Sequence, residues 1–285
     1  MNVVRFEDVE AFYARVELYL LPHEAEHNLT FGLLGTMRHD RTRFPEPILV
    51  LVEDGGAVQL VGIQTNRERT LVLSLAQSLE AVRRLAEDLH AAGLSFPGVT
   101  GPNEVSLAFA EAWTGLSGQT YHVTTPLRTF KLEKVNPVTG VRGHLRKATD
   151  ADRALLIEWE MAFATEAFSE RKPNREETER SVDFRLYSGI GGIYLWDDGG
   201  AVCYTGYGGP TPHGIRIGPV YTPPEHRKRG YASACVAGAS QLLLDGGRDF
   251  CFLFTDLRNP TSNHIYQEVG YRAVCDFTDY GFRNE

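Results

Sequence analysis

Arg227-Lys228-Arg229-Gly230-Tyr231-Ala232 lies between an apolar segment that ends at Val220-Tyr221-Thr222 and a run of small residues and leucines from Tyr231 to Leu244. The apolar segment reads as a strand, broken by Pro223-Pro224-Glu225-His226, and the second run reads as a helix. A strand, a glycine-bearing basic loop and a helix start are together a means of holding a phosphate. The first-turn amides of a helix have no partner within it, and the helix dipole favours an anion there. Gly230 permits a close backbone approach or a positive φ. Ala232 leaves room for a bulky ligand against the helix, and three cations attract a polyanion.

Outward from this loop the chain shows a repeat. Leu51-Val52-Glu53-Asp54-Gly55-Gly56-Ala57-Val58 and Leu195-Trp196-Asp197-Asp198-Gly199-Gly200-Ala201-Val202 both read as a β-hairpin with a glycine turn. A strand (Thr70 to Leu75), a helix (Ser78 to Ala92), a short strand near Phe96 to Thr100 and a helix opened by Asn103 follow the first hairpin. A strand (Ile215 to Tyr221), a helix (Tyr231 to Leu244), a strand (Phe250 to Thr255) and a helix after Asn259 follow the second. Strand patterns at Arg128 to Val135 and at Arg272 to Phe277 close the halves. The shared order predicts a duplication, with residues 1–138 and 139–285 as the two domains and the turn-rich Asn136-Pro137-Val138-Thr139-Gly140 as the join. The second half opens with a short strand at His144, an N-cap at Thr149 or Asp150, and a helix from Asp152 to Phe168. Mixed strands and helices predict an α/β (α+β) fold, with antiparallel hairpins and a parallel pair joined through the Tyr231 to Leu244 helix.

Composition bounds the function. The chain has 285 residues, 42% of them hydrophobic, enough for one large domain or two ordinary ones. A formal net charge of −8 argues against broad nucleic-acid binding. No apolar stretch is long enough to span a membrane, and the N-terminus lacks a basic region followed by an apolar run, so a cytoplasmic protein is expected. Cys203, Cys235, Cys251 and Cys275 fall in strand or helix patterns without metal-ligand spacing, which predicts buried free thiols and no metal site.

Two further stretches join the basic loop. Asn259-Pro260-Thr261-Ser262-Asn263-His264-Ile265-Tyr266-Gln267-Glu268-Val269-Gly270-Tyr271 reads as a strand end, a helix with Tyr266 one turn along, a glycine stop and the next strand. Ala148-Thr149-Asp150-Ala151-Asp152 opens the first helix of this half. On these three motifs, in this order, residues from Leu145 to Phe277 resemble the GNAT superfamily of acyl-CoA-dependent N-acyltransferases. The resemblance implies two tandem GNAT-like mixed β-sheet domains with flanking helices, in which two central parallel strands splay to admit acetyl-CoA. It implies that Arg227, Lys228, Arg229, Gly230, Tyr231, Ala232 and Ser233 form the diphosphate loop. Val220, Tyr221 and Thr222 would pair with pantetheine, and Asn259 and Tyr266 would lie near the CoA sulfur.

Ala232 stands where the loop's commonest pattern has its last glycine. The first half departs further: Ala76-Gln77-Ser78-Leu79-Glu80 has neither the glycine nor the cations. It is therefore expected to be a degenerate GNAT-like domain without cofactor.

The expected activity is acetyl transfer from acetyl-CoA to a primary amine of a small molecule, amino acid or peptide, by a monomer or homodimer. The alternative is a CoA-binding sensor or scaffold whose catalysis has lapsed. Tyr266 is the expected catalytic acid, because a phenol of reference pKa about 10 is near enough to a thiol of about 8.5 for positioning to carry the transfer. Glu158, Glu160, Asp256 and His213 stand as alternatives for the base, each with an ordinary structural reading. Trp159, Phe163, Phe168, Phe184 and Tyr187 are core aromatics or the lining of an acceptor pocket. The charged stretch from Glu166 to Glu179 is a loop over a site or an exposed connection.

Overall fold

A computed structural model describes residues 1–167 and 172–284. Phe168, and with it the end of the helix expected to reach that residue, lies outside the described residues. The chain forms two compact units. Unit one comprises Met1–Thr129, Thr255–Arg258 and Val274–Glu285, and unit two comprises Phe130–Phe254 and Asn259–Ala273.

The first unit runs β1 (Asn2–Phe6), α1 (Val9–Leu20), α2 (Asn28–His39), β2 (Ile48–Asp54), β3 (Ala57–Gln64), β4 (Leu71–Leu73), α3 (Leu79–Ala91), β5 (Gly98–Pro102), α4 (Asn103–Ser117) and β6 (Thr120–Leu132). The rest of the chain repeats that order as β7 (His144–Lys147), α5 (Arg153–Ala167), α6 (Arg175–Tyr187), β8 (Gly192–Asp197), β9 (Ala201–Gly208), β10 (Gly214–Tyr221), α7 (Tyr231–Asp245), β11 (Phe250–Asp256), α8 (Pro260–Val269) and β12 (Arg272–Arg283). The two glycine turns fall between β2 and β3 and between β8 and β9, and Gly55 and Gly56 take the positive φ values (55° and 83°) that such a turn requires. Strand order is β1-β2-β3-β4-β5-β12 in the first unit and β11-β10-β9-β8-β7 in the second.

One expectation fails at the closing strands. The strand that opens at Arg272 was expected to complete the second half. From Val274 onward β12 belongs instead to the first unit, where Phe277 to Gly281 pair antiparallel with Pro102 to Gly98 of β5. The Phe130 end of β6 belongs to the second unit. A strand pattern in sequence carries no mark of its partner, so the exchange was not legible.

Each sheet is covered on both faces. Leu49 and Leu51 of β2 pack with Phe12, Val16 and Phe31 of α1 and α2, while Val50 and Val52 pack with Val82, Leu85 and Phe109 of α3 and α4. This is the period-two alternation of a strand buried on both sides. In the second unit Leu156, Ile157 and Val182 of α5 and α6 meet Ile193, Leu195 and Tyr204, and on the other face Val236, Ala237, Tyr266 and Val269 meet Ile215, Ile217, Cys251 and Leu253. The four cysteines are free thiols, three of them buried. Among the described residues no helix is long and apolar enough to cross a membrane, and no group of three His, Cys, Asp or Glu side chains is placed to hold a metal.

Local chemistry fixes the helix starts. Thr149 and Asp152 form a reciprocal capping box, and Arg146 grips both Asp152 oxygens at 2.8 Å. That guanidinium holds the Asp152 carboxyl down at about 2. Asn259 caps α8 by accepting the Ser262 amide at 3.1 Å, and Gly270 ends it at φ 110°.

Candidate active site

The parallel strands β10 and β11 are paired only at Gly214, Ile215 and Arg216, opposite Phe250, Cys251 and Phe252. Beyond Arg216 they run on unpaired to one another. There β10 carries an irregularity between Ile217 and Val220 in its ladder to β9. The parting opens a cleft of about 690 Å³. Its walls are the end of β10 (Val220, Tyr221, Thr222), the loop into α7, the first turns of α8 (Asn259, Thr261, Ser262, Ile265, Tyr266) and the last turn of α5 (Phe163, Glu166, Ala167).

From the loop, Arg227, Lys228, Gly230, Tyr231, Ala232 and Ser233 line the cleft, and Arg229 is exposed outside the lining. The loop takes left-handed backbone at Lys228 (φ 62°) and Gly230 (φ 79°). Gly230 is the N-cap of α7 and supplies no side-chain cap, so the first-turn amides stay uncommitted to one. Successive amides turned inward by left-handed residues form an anion-binding concavity. In the first unit the same position is spent: Ser78 caps α3 by accepting the Ala81 amide. The strands there also stay together. A Cβ on Gly101 of β5 would meet Leu73 Cβ of β4 at 3.2 Å, and Phe109 and Ala110, which stand where Tyr266 stands in the second half, are wholly buried.

The polar atoms of the cleft fit a large polar ligand. Thr222 Oγ1 and His226 Nδ1 are buried and have no hydrogen-bond partner among the described residues. Tyr266 is 9% exposed and packs against Phe130 and Tyr271. Burial raises its pKa, so the phenol keeps its proton throughout the working pH range. Tyr231 faces inward and donates to Asp198 at 2.6 Å.

Several residues at the site were not singled out in the sequence. Glu166 accepts from both Arg227 Nη2 (2.7 and 2.9 Å) and the Tyr221 hydroxyl (3.1 Å). It comes from the charged stretch read as loop or connection, and nothing in its neighbours marked it. A second cavity of about 240 Å³ lies between α5 and α6, with Glu160, Phe163, Arg185 and Pro219 among its walls. Phe163 lines both spaces, and the consecutive residues Pro219 and Val220 line one each.

The four base candidates separate. Glu160 is buried, bonds Arg185 and faces the second cavity; burial raises its pKa and Arg185 opposes the rise. Glu158 is exposed and paired with Arg175, Asp256 is tied to Arg258, and His213 sits in the exposed turn before β10. Of the aromatics, Trp159 stacks on Tyr204 and Tyr187 is 58% exposed.

Residues 211–280 match the model of the family described as FR47-like protein. No curated protein matches the sequence. Among solved structures, a Drosophila protein aligns at TM-score 0.71 and 10% identity, over 99% of this chain and 98% of that one. A tandem GNAT protein from the clavulanic acid biosynthesis pathway aligns at TM-score 0.61 and 13% identity, again over 99% and 98%. A GCN5-related N-acetyltransferase from Kribbella flavida aligns at TM-score 0.56 and 16% identity, over 81% and 88%. At such identities the likeness is one of fold: the chain has the fold of these GNAT structures, and residues 211–280 resemble the FR47-like family.

Proposed function

We propose that the chain is an N-acetyltransferase that moves an acetyl group from acetyl-CoA to a primary amine, with its second unit as the working half and its first as a GNAT-like unit without cofactor. The observation that carries this reading is the cleft between the parted strands, which gathers the uncapped start of α7, its basic loop and Tyr266 on one surface. The α7 amides and Arg227 and Lys228 hold the diphosphate, with Arg229 adding charge from outside the lining. Val220, Tyr221 and Thr222 offer backbone groups to the pantetheine arm. Asn259 can offer its amide nitrogen to a ligand while its oxygen accepts the Ser262 amide.

Acetyl-CoA supplies an activated acyl carbon and a thiolate leaving group. The amine must arrive without its proton, since an ammonium has no lone pair. Glu160 takes that proton and passes it to solvent; it faces the cavity that adjoins the cleft at Phe163. The amine nitrogen then bonds to the acyl carbon as the carbon–sulfur bond breaks, and the second proton that this nitrogen now carries is lost to solvent to leave the neutral amide. The backbone amide of Val220 or Tyr221, beside the irregularity of β10, polarises the carbonyl oxygen as charge builds on it. Tyr266 gives its phenolic proton to the departing sulfur and recovers one from solvent.

The test is release of free thiol from acetyl-CoA across a panel of small amines, amino acids and peptides, beside calorimetric CoA binding. Tyr266→Phe is expected to lower kcat by about 10²-fold, the smaller end of the range for a proton donor. An unchanged kcat removes Tyr266 as the acid. Tight CoA binding with no thiol release from any amine replaces the enzyme with the sensor or scaffold reading.

A further inference from the structure

The α5/α6 face of the second unit's sheet holds a cation without a partner. Ile215 and Ile217 pack with Val236 and Ala237 of α7, so Arg216 between them projects to the opposite face. Its residue is partly accessible, but Nη1 is shut off from solvent and has no hydrogen-bond acceptor. Among the described residues no carboxylate pairs with it. Burial lowers its pKa to about 10, and Arg185 pushes the same way. A guanidinium with a nitrogen enclosed and no counter-ion is unfavourable and persists only where something offsets it.

Glycines of β9 flank Arg216, and one of them leaves open space beside it. It pairs across the ladder with Gly208 of β9, and Gly206 is the next position on that face. A Cβ on Gly206 would meet Gly218 O at 2.8 Å, Pro219 Cδ at 3.2 Å and Arg185 Cδ at 3.3 Å, so β10 and Arg185 both close over that glycine. A Cβ on Gly208 would meet nothing nearer than Gly191 Cα at 3.8 Å. Arg185 lines the 240 Å³ cavity with Glu160 and Pro219, and Glu160 already balances its charge. Glu177 lines that cavity too, whereas Arg216 stands behind Arg185 and outside its lining, and the Arg216 guanidinium has no counter-ion among the described residues.

We propose that Arg216, with Arg185 beside it, seats a carboxylate of the acceptor, so that the substrate is an amine that also carries one carboxylate. A guanidinium fork matches a carboxylate in geometry. The proposal rests on the acyl-transfer reading, and it sets the acceptor's charge at the end of β10 opposite to the CoA loop.

The test uses the full chain and matched acceptors: alanine, alaninamide and ethylamine, with the same triads for larger side chains. The acid is expected to exceed its amide in kcat/KM by about tenfold or more, and Arg216→Gln to bring that ratio to about one. Thermal unfolding in the presence of CoA gives a second readout. Millimolar alanine should raise the Tm of the wild type more than alaninamide does, and Arg216→Gln should fold with an equal or higher Tm and lose that rise. Equal kcat/KM for acid and amide in the wild type overturns the proposal, as does a preference that survives Arg216→Gln. So does loss of folding in both Arg216→Gln and Arg216→Met, which makes the guanidinium structural. If no amine is acetylated, the acyl-transfer reading fails, and the carboxylate-dependent Tm rise still decides whether Arg216 is an anion seat.

Discussion

Glu166 and Arg227 hold each other across the mouth of the cleft, and the diphosphate proposed for that loop has to displace the carboxylate. Both side chains are more than a third exposed, so the pair itself is worth about 0.2–1 kcal/mol. Glu166→Gln is therefore expected to tighten CoA binding by up to about fivefold in calorimetry, the most that this energy implies. A weaker Kd would mean that Glu166 orients Arg227 rather than competing for it. At this scale the sequence was readable where residues sit in one motif: Val220 to Thr222, the loop, Asn259 and Tyr266 all come to one cleft. It was mute where residues meet through the fold. Arg216, Arg185 and Glu160 are brought together by strand alternation and a helix laid on the sheet, and no local spacing records that.

Helices α3 and α7 occupy the same place in the repeat, and their first residues explain why only one faces a phosphate-sized opening. Ser78 satisfies an α3 amide with its own hydroxyl, whereas Gly230 at φ 79° leaves the α7 amides open. Gly230→Ala forces an L side chain into left-handed backbone at roughly 1–2 kcal/mol. It also sets a Cβ 2.9 Å from Val141 Cγ2. The loop must then rotate, and CoA affinity is expected to fall by about tenfold, the equivalent of 1.4 kcal/mol. An unchanged Kd in the folded variant would show that the amides do not cradle the ligand. The hairpins, α3, α4, α7 and α8 were legible because turn glycines and cap residues bracket them. The N-terminal helices were not assigned: α2 has no side-chain cap and carries Gly32 and Gly35, which dilute a helical pattern.

At the scale of the whole molecule, the last strand of the chain stabilises the unit that contains its first residues. Tyr280 and Phe282 of β12 pack into the core with Trp113, Phe109 and Phe96, and Asp279 accepts from Thr100 Oγ1 at 2.7 Å. Burial pushes the Asp279 carboxyl up to about 6, with Thr100 opposing. The folded state thus holds this proton more tightly than the unfolded chain, whose carboxyl titrates near 3.8. Between about pH 4 and pH 6 the native form binds more protons, so the stability of the first unit falls as pH rises through that window. At pH 7 the ionised group destabilises by roughly 3 kcal/mol, at about 1.4 kcal/mol per unit. Asp279→Asn keeps an acceptor for Thr100 and removes the charge. In a Trp159→Phe, Trp196→Phe background, fluorescence reports Trp113 alone, and urea unfolding from pH 4 to pH 7 can be read from the first unit. The gap between Asp279→Asn and its parent should widen in favour of the variant as pH rises, and close below pH 4. A parent that is the more stable of the two at pH 7 would mean that the ionised carboxylate is a favoured partner of Thr100, and that β12 is held into the first unit by charge rather than in spite of it.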